Sequence, residues 1–552
     1  MKTSSLFLLA SAFSNLLSQG NAAAPFHPVA NKLSAALAGP DGGNATFKQL
    51  IDHSNPSLGT FDQWYWWNTT FWKGPGSPVV LFTPGEAEAA PYGGYLTNLT
   101  MIGQYAQEIG AATIIFEHRY WGESTPYEVL DNKALQYLTL NNSVYDLVNF
   151  ARNAKLPFDT NSSSNAPQAP WIQVGGSYSG ALAAWTESIA PGTYWAYHAS
   201  SAPVEAIYDY WSYFVPIQKG MPQNCSRDFE RIVDYIDGVI AAKNATEIDR
   251  LKMLFRLDGL AHDDDFAGAL GWPIGEWQST QLFSGYSTFY QMCDTIEGVR
   301  QPSANGTNQR VSNATVPGIG GVGLDKALSN YAAWFRNEFL PYFCSDTYGY
   351  QDWQDKYSVG CFDTYNTTSP QFKDWSYSNT VNRQWYWMLC NEPFFYWQTG
   401  APEDRPSIMS RYVTAEYYQR QCGLFFPTGS DGGMNYTYGS ALGRTADALN
   451  AWTKGWDLTN TTRLIWFNGE FDPWRSASLS SEFRPGGPLP SREEAPVYLL
   501  GNATHCIDLV YRNGVVNTGV RGAQMSAITT MTKWVDDFYA LKEGGGYRGD
   551  GR

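Results

Sequence analysis

The chain has 552 residues, enough for three or four domains of about 150 residues or for one large core carrying an insertion. Apolar residues make up 43% and aromatic residues 16%, which excludes a disordered chain. Charged residues are only 16%, and 52 Asp+Glu against 37 Lys+Arg leave −15 at pH 7, a balance that repels phosphate backbones and excludes nucleic acid as a partner.

Residues 1–24 read as a signal peptide: Lys2 supplies the positive end, 6–17 the short apolar stretch, and Ala22, Ala23 and Ala24 the small residues for cleavage. Residues 25–43 form either a removable pro-segment or a loose arm. No other stretch has the 18 apolar residues of a membrane span, so no membrane is expected. Residues 45–70, with Trp64, Trp66 and Trp67, read as an antiparallel opening. Short apolar runs at 77–86, 111–117 and 171–174 then read as strands. The third leads into Gly175-Gly-Ser-Tyr-Ser-Gly180 and a helix over 181–190, with 194–198 as the next strand candidate. Strands alternating with helices imply a mainly parallel sheet covered on both faces.

The character changes near Pro216. Residues 216–440 are richer in helical patterns, hold six of the seven Cys and include an exposed, mobile loop at 301–323. The α/β pattern resumes with strand candidates at 462–467 and 496–500 and a final helix over 523–541. The expected organisation is therefore signal peptide 1–24, core 25–215, inserted helical cap 216–440, core 441–541 and a disordered tail 542–552. The tail's Arg548-Gly-Asp550 matches an integrin tripeptide, a chance event in such a segment.

Thirteen Asn-x-Ser/Thr sequons, at Asn44, Asn68, Asn98, Asn141, Asn161, Asn224, Asn244, Asn305, Asn313, Asn366, Asn435, Asn460 and Asn502, together with the signal peptide, point to a glycosylated protein. Secretion is the expected fate, with a vacuole or lysosome-like compartment as the alternative. In an oxidising compartment six Cys pair; the expected disulfides are the sequential pairs Cys225–Cys293, Cys344–Cys361 and Cys390–Cys422, with Cys506 free.

A strand, a Gly-flanked Ser and a helix form the nucleophile elbow of α/β-hydrolases, which makes Ser177 the candidate nucleophile. Position 179 is Ser where that elbow usually has Gly. In this fold Asp follows Ser and His follows Asp. Of the six His, 27, 53 and 118 precede Ser177, His198 follows too closely, and His262 sits in a solvated acidic run without metal-ligand spacing. His505 remains, after one strand, and Asp472 follows the strand before it. No cofactor or metal is expected.

Val174-Gly-Gly-Ser-Tyr-Ser-Gly180, Phe116-Glu-His-Arg-Tyr-Trp-Gly122, Cys390-Asn-Glu-Pro-Phe-Phe395 and Asn468-Gly-Glu-Phe-Asp-Pro-Trp474 resemble the family of lysosomal Pro-Xaa carboxypeptidase and dipeptidyl peptidase II, above all its secreted fungal acid prolyl endopeptidases. The resemblance runs from about residue 45 to 540. It implies an α/β-hydrolase core with a helical cap, a triad of Ser177, Asp472 and His505, and a peptidase active in acid that cuts proline-containing peptides after proline. Tyr178 N–H and Glu86 N–H are the expected oxyanion-hole donors. Trp385 and Trp474 are the foremost candidates for holding the proline ring, and Glu392, like Glu86, is a carboxylate on the presumed cleft wall. The loop before His505 departs from the fungal pattern and creates the sequon at Asn502, whose glycan is expected to be absent or turned outward. An exopeptidase of the same family, an esterase and a catalytically dead adhesion module are the alternatives.

Overall fold

The computed structural model describes residues 41–301, 309–311, 314–431 and 434–544. The signal segment, the arm up to residue 40, the Arg-Gly-Asp tripeptide and the sequons at Asn305 and Asn313 lie outside these residues, as does the side chain of Asn435.

Eight strands form one sheet: β1 (Gly42–Leu50), β2 (Thr60–Asn68), β3 (Val79–Phe82), β4 (Ala112–Phe116), β5 (Trp171–Gly176), β6 (Ala196–Ser200), β7 (Leu464–Gly469) and β8 (Val497–Leu500). Their spatial order is β1-β2-β4-β3-β5-β6-β7-β8. β2 runs antiparallel to both β1 and β4; every other pairing is parallel. The composition of each strand follows from its place. β3 and β4, Val-Val-Leu-Phe and Ala-Thr-Ile-Ile-Phe, are buried at every residue because helices cover both faces, whereas β2 alternates between buried and more exposed positions. This is the α/β-hydrolase core.

Three helices link the first parallel strands: α1 (Met101–Ile109), α2 (Leu140–Asn153) and α3 (Tyr178–Ile189). α1 stops at Gly110, whose φ of +70° is the left-handed cap that glycine adopts without strain. Between β6 and β7 lie the helices of the cap, among them α4 (Gln223–Ala241), α5 (Thr288–Ile296), α6 (Leu324–Trp334), α7 (Arg383–Asn391) and α8 (Ala415–Phe425). Disulfides staple them: Cys225–Cys293 ties α4 to α5, Cys390–Cys422 ties α7 to α8, and Cys344–Cys361 closes a shorter loop, while Cys506 is free and buried. The last helix, α9 (Thr518–Glu543), is capped by Asn517, whose side chain accepts the N–H of Val520. Among the described residues no helix is long and apolar enough to cross a membrane.

Of the sequon asparagines described, Asn44, Asn98, Asn141, Asn161, Asn244, Asn366, Asn460 and Asn502 are exposed. Asn68 differs from them: it is 9% exposed at the end of β2, where its Oδ1 accepts the N–H of Thr70. Asn224 is half-buried, with Nδ2 directed at Pro317 O.

Candidate active site

Ser177 stands between the last residue of β5 and the first of α3 with φ 58° and ψ −132°, a strained conformation for a residue with a side chain. The turn is held by Ser177 N–H donating to Ser200 O at 2.9 Å. Crowding explains the small neighbours: a Cβ on Gly175 would lie 2.0 Å from Ser179 O, and one on Gly180 would lie 2.6 Å from Ser200 O. Ser179, the departure from the usual pattern, closes the elbow itself. Its Oγ donates to Gly176 O at 2.8 Å and accepts from Gly176 N–H at 3.1 Å.

Asp472 follows β7 and is fully buried. Its Oδ1 accepts Trp474 N–H at 3.0 Å and His505 Nδ1–H at 2.9 Å. His505 follows β8 and is 2% exposed. With Nδ1 committed to Asp472, its Nε2 has no hydrogen-bond partner, and the ring lines the same cavity as Ser177. The two strand ends are locked together: Phe471 N–H donates to Ala503 O, and a Cβ on Gly469 would meet Thr504 O at 2.2 Å. The order of elements thus brings Ser177, Asp472 and His505 to one place, as the chain order of the sequence requires.

Tyr178 is the first residue of α3, so its N–H has no intrahelical acceptor and sits beside Ser177. The loop after β3 lies against it. Gly85 has φ +82°, and a Cβ there would stand 3.2 Å from the Tyr178 ring and 3.3 Å from Ser179 Cβ, so this close approach requires glycine. Glu86 follows. Its carbonyl accepts Asn382 Nδ2–H from the cap at 3.0 Å, and its side chain lines the cavity with Ser177 and His505. Phe82, Tyr92 and Tyr95 form the aromatic wall of that cavity, with Phe82 and Tyr95 stacked at 4.7 Å.

Burial sets the electrostatics. It pushes the Glu86 carboxyl up to about 8, against some relief from the residue's own backbone N–H and from His505. At His505 burial disfavours the imidazolium, but the Cys506 sulfur and the Asp472 carboxylate favour it more and hold the ring well above 6.5. The acid optimum implied by the resemblance therefore gains no support from a lowered imidazole pKa. His118, buried behind Tyr178, is pushed down to about 4 by burial. Its Nδ1 donates to Arg119 O and its Nε2 accepts the Tyr178 hydroxyl at 3.1 Å.

The remaining candidates sit one layer back. Trp385 packs on the Tyr178 ring at 5.1 Å, and Trp474 donates to Gln278 Oε1 with its ring 6.4 Å from that of His505; both are buried and neither lines the cavity. Glu392 is committed elsewhere, to Leu140 N–H, Asn391 Nδ2–H and Arg444 at 3.3 Å. Sequence reasoning missed Phe82, Tyr92 and Tyr95. It also missed what the Phe116–Gly122 motif does: Glu117 accepts Ala89 N–H and the Ser124 hydroxyl, which anchors the loop carrying Glu86. The signal was available in Glu117, a carboxylate at the end of a strand buried on both sides. Among the described residues no group of side chains is arranged to hold a metal ion.

The profile of the family described as "Serine carboxypeptidase S28" matches residues 49–269 and 285–515. Two proteins of Bipolaris victoriae named serine protease vicPa and serine protease vicPb are 42% and 43% identical over 500 and 497 residues, each spanning 90% or more of both chains. A probable extracellular serine carboxypeptidase of Arthroderma benhamiae is 30% identical over 81% of this chain and 59% of that one. Among solved structures, a proline iminopeptidase of Mycobacterium smegmatis aligns over 89% of this chain and 99% of its own at 10% identity and a TM-score of 0.34.

Proposed function

The chain belongs to the serine carboxypeptidase S28 family of serine peptidases, and on that premise we propose that it is a secreted endopeptidase that cuts peptide bonds on the carboxyl side of proline. One observation carries the catalytic reading: His505 donates Nδ1–H to buried Asp472 at 2.9 Å and lines a cavity with the strained Ser177, its Nε2 unpartnered. Ser177 gives its hydroxyl proton to His505 Nε2 as Oγ attacks the carbonyl carbon of the prolyl bond. Tyr178 N–H receives the oxyanion, and Glu86 N–H joins it by turning from its own carboxyl, each such donor contributing on the order of 3 kcal/mol. The imidazolium then protonates the leaving amine, and water releases the acyl group by the reverse sequence.

The aromatic wall of Phe82, Tyr92 and Tyr95 supports a compact apolar side chain such as proline, which also carries little entropy to lose. Endo-action is favoured over the carboxypeptidase named in the family's description because the residues lining the cavity include no lysine or arginine to receive a substrate carboxylate. Secretion is supported by the N-terminal segment, the exposed sequon asparagines, the disulfides and the extracellular relative.

A peptide blocked at both ends with one internal proline tests the reading. Cleavage after proline is expected; silence on it, with turnover of the unblocked peptide, assigns the chain to the exopeptidases. Ser177→Ala is expected to abolish turnover without lowering the melting temperature.

A further inference from the structure

We propose that Glu86 works as a neutral carboxyl inside the reaction cavity, and that its ionisation ends catalysis on the alkaline side. The inference deepens the reading of Ser177 as nucleophile and rests on it. Glu86 is 4% exposed, lines the cavity with Ser177 and His505, and leaves its Oε2 buried without a hydrogen-bond partner. The carboxylates of Glu392 and Glu117 are each held by several donors, whereas that of Glu86 has only its own backbone N–H, and the residue is held by its carbonyl. Asn382 Nδ2 donates to its carbonyl, and Asn382 is fixed in turn by Trp121 Nε1–H at 2.8 Å. Core and cap together therefore deliver this side chain to the cavity.

The groups around it cannot neutralise a carboxylate, except one. Tyr92 and Tyr95 face it from the segment after β3, Tyr178 from α3, Tyr396 from the cap, and Cys506 and His505 from the loop after β8. Among the described residues no lysine or arginine pairs with it. Burying a carboxylate is costly even beside His505, so the proton stays on, and burial pushes the group up to about 8.

The proton count shows why the charge matters. Glu86–COOH with neutral His505 and Glu86–COO⁻ with protonated His505 hold the same single proton, and only the first leaves Nε2 free to accept from Ser177. Loss of that proton frees the imidazole but leaves an anion beside the place where the tetrahedral oxyanion must form. Either way the ionised carboxyl opposes the step, by holding a proton on the base or by repelling the developing charge.

The test is kcat/KM against pH on the blocked proline peptide for the wild type, Glu86→Gln and Glu86→Asp, each curve read at half of its own plateau. The wild type is expected to fall with a midpoint near pH 8. Glu86→Gln, whatever its plateau, keeps a neutral donor that cannot ionise, so its fall moves up by about one unit or more, while Glu86→Asp keeps an alkaline fall. Superimposable curves for wild type and Glu86→Gln overturn the proposal. Should Glu86→Gln fail to fold, infrared spectra of the wild type and Glu86→Ala decide. A protonated-carboxyl band that survives above pH 7 in the wild type and is missing from Glu86→Ala supports the proposal, and identical bands in the two proteins overturn it. Failure of the nucleophile reading looks different: a fluorophosphonate then leaves Ser177 of the wild type unlabelled at every pH.

Discussion

Two histidine–aspartate pairs lie within a few residues of each other, and their contrast shows what makes one of them chemical. His198, on β6, donates Nε2–H to Asp508 Oδ2 at 2.8 Å, nearly the separation of His505 and Asp472. Both pairs are buried. But His198 Nδ1 meets the Tyr105 hydroxyl at 2.7 Å, and Asp508 also accepts the Ser200 hydroxyl at 2.6 Å, so every ring nitrogen is spoken for. That network ties α1, β6 and the segment after His505 together. In the other pair one ring nitrogen is left open on a cavity that also holds a strained serine. A buried His–Asp bond is thus a positioning device in both places; in the function proposed, the unfilled nitrogen is what lets His505 act as a base.

The sharpest way to break this contrast is to neutralise each aspartate in turn. Ser177→Ala sets the reference, a loss of at least about 10⁴-fold in kcat. Asp472→Asn is expected to come close to it, about 10³- to 10⁴-fold in the folded protein, because the wrong tautomer of His505 is then favoured. Asp508→Asn reverses the pattern. Breaking a buried pair costs about 3–5 kcal/mol of stability, visible in denaturant unfolding, while the folded fraction keeps kcat within about tenfold. Two variants with the same profile would erase the distinction.

The pH dependence of stability sharpens the comparison from another side, because several buried carboxyls lose more to burial than their neighbours return. Burial pushes Glu276, Glu117, Glu205 and Asp265 up to about 7. A carboxyl raised on folding binds its proton more tightly in the native state. Its stabilisation is complete below the unfolded value near 4 and is lost as pH rises through about 7. His118, pushed down to about 4, works the other way between about 6.5 and 4. With six carboxyls raised to about 7 or 8, Glu86 and Glu297 included, against one lowered imidazole, thermal melts are expected to be highest near pH 4 and to fall by pH 8. The smallest effect is expected at the elbow. Ser179→Gly removes two hydrogen bonds to Gly176 and should cost about 1 kcal/mol of stability with less than tenfold change in kcat/KM.

The sheet was legible because burial on both faces leaves no freedom of composition: the apolar runs at 77–86 and 111–117 contain β3 and β4, and that at 171–174 is the first four residues of β5. The meeting of Ser177, Asp472 and His505 followed from those strand ends, since chain order left one histidine and one aspartate at successive strand ends. The start of α3 was read three residues late, at 181 instead of 178, because Ser177 makes no capping bond and so leaves no capping signature. The cavity wall was harder. Spacing reveals which loops meet at the ends of the strands, but which side chains face inward depends on backbone turns such as that at Gly85. Trp385 and Trp474 were placed in the right neighbourhood yet back the residues that line the cavity. The Glu86 side chain was visible only as a carboxylate near a wall, because its burial comes from the cap, far away in sequence.

The most direct test of the account is to expose the protein to a fluorophosphonate and map the adduct by mass spectrometry in the wild type, His505→Ala and Asp508→Asn. The account predicts one adduct, on Ser177, formed rapidly in the wild type and in folded Asp508→Asn and slowed by at least about 10³-fold in His505→Ala. An adduct on another residue, or equal labelling rates in wild type and His505→Ala, would contradict it.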